Sequence, residues 1–163
     1  MRADRIVVLS LLILIGAACA PAVQLSDEPR LAFHGQPDAD TLAQWRDDGV
    51  DVVINLRPAD EMAWDERSAV EGLGMQYHQV GIGRAGPGFD RAAIAKITAL
   101  VDANPGRDIA LHCSSGNRAA AWYAIYLVEN GTPLPQALAQ AQQAGMTRPA
   151  LADRVNQYLQ DSD

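Results

Sequence analysis

Positive charge is scarce in this chain: 13 lysines and arginines face 20 aspartates and glutamates over 163 residues, a formal net charge of -7. A nucleic-acid binder needs a basic face to neutralise phosphates, and this balance supplies none. Any anionic ligand must therefore be held by local groups working against the protein's own field, which favours a small, concave, sharply defined site. Cysteine is rarer still, with only Cys19 and Cys113. Long apolar runs are missing too. The N-terminal one, residues 6–15, is broken by Ser10 and falls short of the roughly 20 residues a mature membrane-spanning helix needs. No internal repeat or low-complexity tract occurs. What is present is ordinary for one globular domain, with 48% hydrophobic and 20% charged residues and enough length for a substantial core.

The first residues depart from that profile. Arg2 and Arg5 precede the apolar run, and Gly16, Ala17 and Ala18 follow it, immediately before Cys19. A basic start, a short apolar stretch and small residues ahead of a cut describe a secretory signal peptide over residues 1–18. Cleavage before Cys19 resembles a bacterial lipoprotein signal, with Cys19 as the lipid-bearing first residue; a plain signal cut nearby is the alternative. The expectation is an exported protein of the bacterial cell envelope or periplasm, touching the membrane only through that anchor. Residues 19–30 then form a flexible tether, and residues 31–163 the domain. With Cys19 acylated, Cys113 is a lone thiol in an oxidising compartment and is flagged as reactive. A Cys19–Cys113 disulfide and an inert buried thiol are the lesser readings.

Periodicity divides the domain into alternating strands and helices. Leu31, Ala32 and Phe33 predict a short strand, followed by a turn at His34-Gly35-Gln36-Pro37. Asp38 or Asp40 caps a helix carrying Leu42 and Trp45 and ending at Gly49. The β-branched run at residues 50–56 predicts a buried strand of a parallel sheet. Residues 61–73 read as a helix, 75–80 as a strand, and the glycine-rich residues 81–88 as a mobile or tightly turned loop. Asp90 caps a helix with Ile94, Ile97, Leu100 and Val101 on one face. Residues 108–112 form a strand that stops at Cys113, and helices follow at 119–129, 135–144 and 149–160. This alternation predicts an α/β sandwich around a largely parallel sheet.

The junction after the fourth strand carries the chemistry. The run His112-Cys113-Ser114-Ser115-Gly116-Asn117-Arg118 places a cysteine at a strand end and an arginine at a helix start. Backbone N–H groups of such a loop converge on one point, and the helix N-terminus adds partial positive charge. Arg118 offers a forked guanidinium for an oxyanion. Each of these lowers a thiol pKa, and the thiolate is the nucleophile. Gly116 lets the N–H groups turn inward. His112 is expected to orient the loop by hydrogen bonding to backbone, its charge further favouring the thiolate.

With Phe33-His34-Gly35-Gln36-Pro37 and Val53-Ile54-Asn55-Leu56-Arg57-Pro58 upstream, this loop resembles a bacterial protein-tyrosine-phosphatase-like family. Its domain occurs alone or fused to β-lactamase-like hydrolases, within the dual-specificity phosphatase-like superfamily. The resemblance implies a cysteine-phosphatase-like α/β fold and thiolate attack on a phosphate monoester, through a phosphocysteine that water then hydrolyses. Cys113 would be the nucleophile and Arg118 the phosphoryl ligand. Backbone N–H groups from Ser114, Ser115, Gly116 and Asn117 to Arg118 would bind the substrate, a phosphorylated small molecule or phosphoprotein. No metal or cofactor is implied.

Three features depart from the pattern. Four residues separate Cys113 from Arg118 where phosphatases usually have five, a spacing that also resembles rhodanese-type sulfurtransferases with a cysteine persulfide. Ala119 stands where a hydroxyl residue commonly follows the arginine. No Asp or Glu lies in residues 81–88, where a general acid is expected. Asp90 is the nearest carboxylate and the candidate acid, with helix capping as its other reading; Asp60 and Glu61 are weaker candidates. Arg84 is a possible recruiter of anions. A phosphatase thus leads, a persulfide carrier on Cys113 follows, and a catalytically silent anion-binding envelope module is third.

Overall fold

The alternation of side chains along the strands decides the layering. The computed structural model describes residues 28–84 and 88–161; the expected signal peptide, Cys19 and most of the expected tether lie outside the described residues. Strands β1 (Arg30–His34), β2 (Val52–Asn55), β3 (Gln76–Gln79) and β4 (Asp108–His112) form one sheet in the order β1-β4-β2-β3, every pairing parallel. The helices are α1 (Ala39–Asp47), α2 (Glu66–Gly72), α3 (Arg91–Asp102), α4 (Asn117–Glu129), α5 (Leu134–Gln143) and α6 (Pro149–Gln160). Parallel neighbours require a crossover, and helices supply it.

Successive strand residues face opposite ways. Val52, Ile54, Ile109 and Leu111 pack with Ile94, Ile97 and Trp122 beneath α3 to α6. Val53, Ala110 and Tyr77 pack with Leu42, Trp45 and Val70 beneath α1 and α2. Helix α4 is nearly all buried through Ala119, Ala120, Ala121 and Ala124, because α5 and α6 cover the sides that the sheet leaves open. Small side chains allow that close approach.

The parallel register brings the carboxyl ends of the strands level. His34 pairs with His112, and His112 with Asn55, which pairs in turn with Gln79. The segments leaving these strands emerge side by side at one edge, the place where parallel α/β sheets bind ligands.

Three element boundaries differ from the sequence expectation. Residues 61–73 are not one helix. A 3-10 turn, Ala59–Glu61, precedes an extended Met62, and α2 starts only after Asp65, whose carboxylate accepts the Ser68 N–H at 3.1 Å. The Asp65 cap ends one element and begins another. The α4 helix starts at Asn117 rather than Ala119, and β1 begins at Arg30, inside the expected tether. Among the described residues no helix is long and apolar enough to cross a membrane.

Candidate active site

The loop from Cys113 to Arg118 is built by its attachments. The Cys113 N–H donates to the His34 carbonyl at 3.3 Å, and Ser115 forms a bridge with Gly35. Gly116 caps α4 with φ at +79°, and a Cβ there would meet the backbone carbon and oxygen of His34 at 3.4 Å. The positive φ therefore favours glycine. The loop faces a cleft of about 150 Å³ lined by Cys113, Ser114, Arg118, Arg84, Arg148 and Arg154, among others.

Cys113 is buried at its floor. Burial alone would raise its pKa. The N–H groups of Ser115 and Arg118, with the charge and hydrogen bond of the Arg118 guanidinium, outweigh burial and hold the thiol below its ordinary range. The geometry thus favours the thiolate.

Arg118 is itself buried and held from behind. Its guanidinium donates to both Glu61 oxygens at 3.0 and 2.8 Å, to the Ile82 carbonyl at 2.6 Å and to Ser114 Oγ at 3.3 Å. Burial opposes its charge, but Glu61 and Cys113 more than compensate, and its pKa rises. Glu61 also pairs with Arg84 at 3.1 Å and Arg57 at 3.6 Å. Its hydrogen bond from Arg118 comes first among the causes that hold its carboxyl below the ordinary carboxylate range. An ionised Glu61 cannot donate a proton to a leaving group. It fixes the arginine instead.

A second polar cluster lies behind the loop. His112 is fully buried, and alternation along β4 turns it towards α2, away from the cleft. Its Nε2 meets Glu66 Oε1 at 2.7 Å. Glu66, also buried, accepts from Asn55 at 3.2 Å and from Gln36, and Gln36 accepts from Arg57. The side-chain partner of His112 is thus Glu66 rather than a backbone group, which corrects the expected hydrogen bond. Trp45 packs on the same wall, 4.6 Å from the His34 ring and 6.0 Å from that of His112.

The other anticipated residues are distributed as follows. Ser114 and Ser115 line the cleft. Asn117 lines it too, but its Oδ1 accepts the N–H groups of Thr147 and Arg148 at 2.8 and 3.0 Å, so its side chain fastens the start of α6. Asp90 caps α3 through the Ala93 N–H at 3.0 Å. Ala119 is buried in the core. Arg84 joins the cleft, as its position on the glycine-rich loop allowed. Glu66, Arg148 and Arg154 were not foreseen. Among the described residues, no group of three or more His, Cys, Asp and Glu is placed to hold a metal ion.

Solved structures share this arrangement of strands and helices. A candidate phosphatase of the DUF442 group from Shewanella putrefaciens CN-32 is 25% identical, with a TM-score of 0.59 over 80% of this chain and 86% of that one. The fold is that of protein-tyrosine-phosphatase-like structures. The active form of Tk-PTP superposes with a TM-score of 0.70 at 17% identity, covering 86% of this chain and 99% of its own. TpbA of P. aeruginosa, solved with phosphotyrosine, gives 0.61 at 18% identity, over 80% and 78% of the two chains. No family model and no curated protein matches the sequence. The phosphatase-like fold therefore rests on three-dimensional similarity.

Proposed function

We propose that this chain is a cysteine-dependent phosphatase that hydrolyses phosphate monoesters through a phosphocysteine. The observation that carries this reading is the Cys113 thiol, held below its usual pKa by the Ser115 and Arg118 N–H groups and the Arg118 guanidinium, at the floor of an arginine-lined cleft. The similarity to phosphatase structures supports it.

In the first step the Cys113 thiolate attacks phosphorus. A P–S bond forms, and the bond to the leaving oxygen breaks with its electron pair. Loop N–H groups and Arg118 receive the equatorial oxygens, where negative charge is held in the transition state. Water then attacks the phosphocysteine, the P–S bond breaks, and the thiolate returns. Glu61 acts on Arg118, keeping its fork aimed.

The four-residue spacing between Cys113 and Arg118 keeps sulfur transfer as the competing reading. One experiment separates them. Wild type and Cys113→Ser are assayed with p-nitrophenyl phosphate, and in parallel with thiosulfate and cyanide. Phosphate release that vanishes in Cys113→Ser supports the proposal; thiocyanate formation with a one-sulfur mass adduct on Cys113 replaces it with sulfur transfer. Neither activity in a folded protein leaves a silent anion-binding module. Residues 1–19 further support placement at the bacterial envelope, tested by fatty-acid labelling that Cys19→Ser should abolish.

A further inference from the structure

Four of the twelve arginines line one cleft in a chain of net charge -7. Two of them, Arg118 and Arg84, are joined by Glu61. The other two belong to a different element, Arg148 at the N-cap of α6 and Arg154 within it. Arg154 donates to the carbonyls of Gly88 at 2.9 Å and Gly83 at 3.2 Å, and its guanidinium lies 4.3 Å from the Phe89 ring centroid. Burial, and after it the charge of Arg118, lower its pKa. Arg148 is exposed and makes no side-chain hydrogen bond or ion pair among the described residues. Its backbone is nonetheless fixed by Asn117 of the cysteine loop. The loop that would hold the scissile phosphoryl group thus also places the next cation.

A single phosphoryl group does not use all of this. The loop N–H groups and Arg118 suffice for its oxygens. Among the described residues the lining of the cleft includes no aspartate or glutamate, and Glu61 is ionised against Arg118. No carboxylic acid on these walls can protonate a departing oxygen. The leaving group must then be stable as an anion. A phosphate with its second pKa near 6 leaves more readily than a tyrosyl oxygen with a pKa of about 10.

Resting on the phosphatase reading, we infer that Arg148 and Arg154 form a second anion subsite that receives a leaving phosphate, so that the preferred substrates are phosphoanhydrides. The Cys113 thiolate attacks the terminal phosphorus and forms the P–S bond. The bridging P–O bond breaks, and its electron pair departs with the second phosphate, as an anion facing Arg148 and Arg154. Water completes turnover as above, its proton passing to solvent phosphate or buffer.

The test begins with binding, which needs no turnover. Cys113→Ser is titrated calorimetrically with inorganic pyrophosphate and with inorganic phosphate. Pyrophosphate should bind roughly tenfold or more tightly, as expected for added charge-assisted hydrogen bonds. Adding Arg148→Ala should remove most of that ratio and Arg148→Glu should abolish it, with thermal melts verifying the fold. Arg46→Ala, a charge-matched control on α1, should leave the ratio intact. Equal affinities for the two anions, or a ratio untouched by Arg148→Glu, would overturn the subsite.

Turnover supplies the second arm. Pyrophosphate should be cleaved at least about tenfold better than glycerol phosphate in kcat/KM, because the alkyl ester needs an acid the cleft lacks. Equal rates would overturn the leaving-group inference. Failure of the phosphatase reading is recognised separately, as no Cys113-dependent hydrolysis of p-nitrophenyl phosphate.

Discussion

Glu61 meets Arg118 with both carboxylate oxygens, at 3.0 and 2.8 Å, although 57 residues separate them in sequence. The pair joins the segment after β2 to the helix after β4, and with Ile82 and Ser114 it fixes the plane of the guanidinium beside Cys113. A planar guanidinium held by several acceptors keeps one orientation towards whatever binds beside the thiol. Glu61→Gln should therefore lower kcat/KM for an aryl phosphate by about tenfold or more, or about 1.4 kcal/mol.

The same pair has a signed pH dependence. Glu61 is depressed by its bond from Arg118, so its contribution to stability is fully present above the ordinary carboxylate pKa of about 4. It is lost as pH falls through the lowered folded value. Urea midpoints measured against pH should fall on the acid side in wild type, and that component should be missing in Glu61→Gln.

Cys113 should alkylate as a thiolate. The pH of half-maximal iodoacetamide reaction is expected below the reference thiol value of about 8.5. Arg118→Ala should move it upward by removing a charge and a hydrogen bond. A titration at or above the reference value in wild type would remove the basis for nucleophilic catalysis.

Behind the loop, Glu66→Ala leaves His112, Asn55 and Gln36 without their shared acceptor. Orphaning buried polar groups of this kind costs about 3 kcal/mol, read as a lower denaturant midpoint. Glu66→Gln retains shape and one acceptor and should cost less.

Two glycines should resist substitution for different reasons. Gly116→Ala places a side chain at positive φ and against His34, a strain of about 1–2 kcal/mol, and it should weaken phosphate binding by displacing the loop. Gly81→Ala would set its Cβ 2.8 Å from the Pro58 Cα. It should disturb the approach of the glycine-rich segment to the Arg57 turn, measured as lost thermal stability.

The sequence was legible wherever the signal is local. Strand alternation, the capping residues Asp38 and Asp90, and the Cys113–Arg118 loop depend on neighbours a few positions away. The break between Glu61 and α2 was also local, in Asp65 with Ser68 three residues on, but a helical pattern spread over residues 61–73 hid it. Glu66 could be read only as part of a helix, because its partners come from three other segments. Arg154 falls within a late helix expected at residues 149–160 and Arg148 just before it, with nothing in the sequence to tie that helix to the cleft. The Asn117 side chain supplies that tie, and it spans 30 residues. The position of Glu61 in the segment that follows β2 was the one distant clue, since parallel strands deliver their following segments to a common edge.

Trp45 gives that common edge an optical voice. Its indole lies against His34 and within sight of His112, on the wall that supports the cysteine loop, and an imidazolium quenches indole emission where a neutral imidazole does so far less. Protonation of His34, on the far side of Cys113, should therefore be visible in Trp45 emission once the other two tryptophans, Trp64 and Trp122, are replaced by phenylalanine.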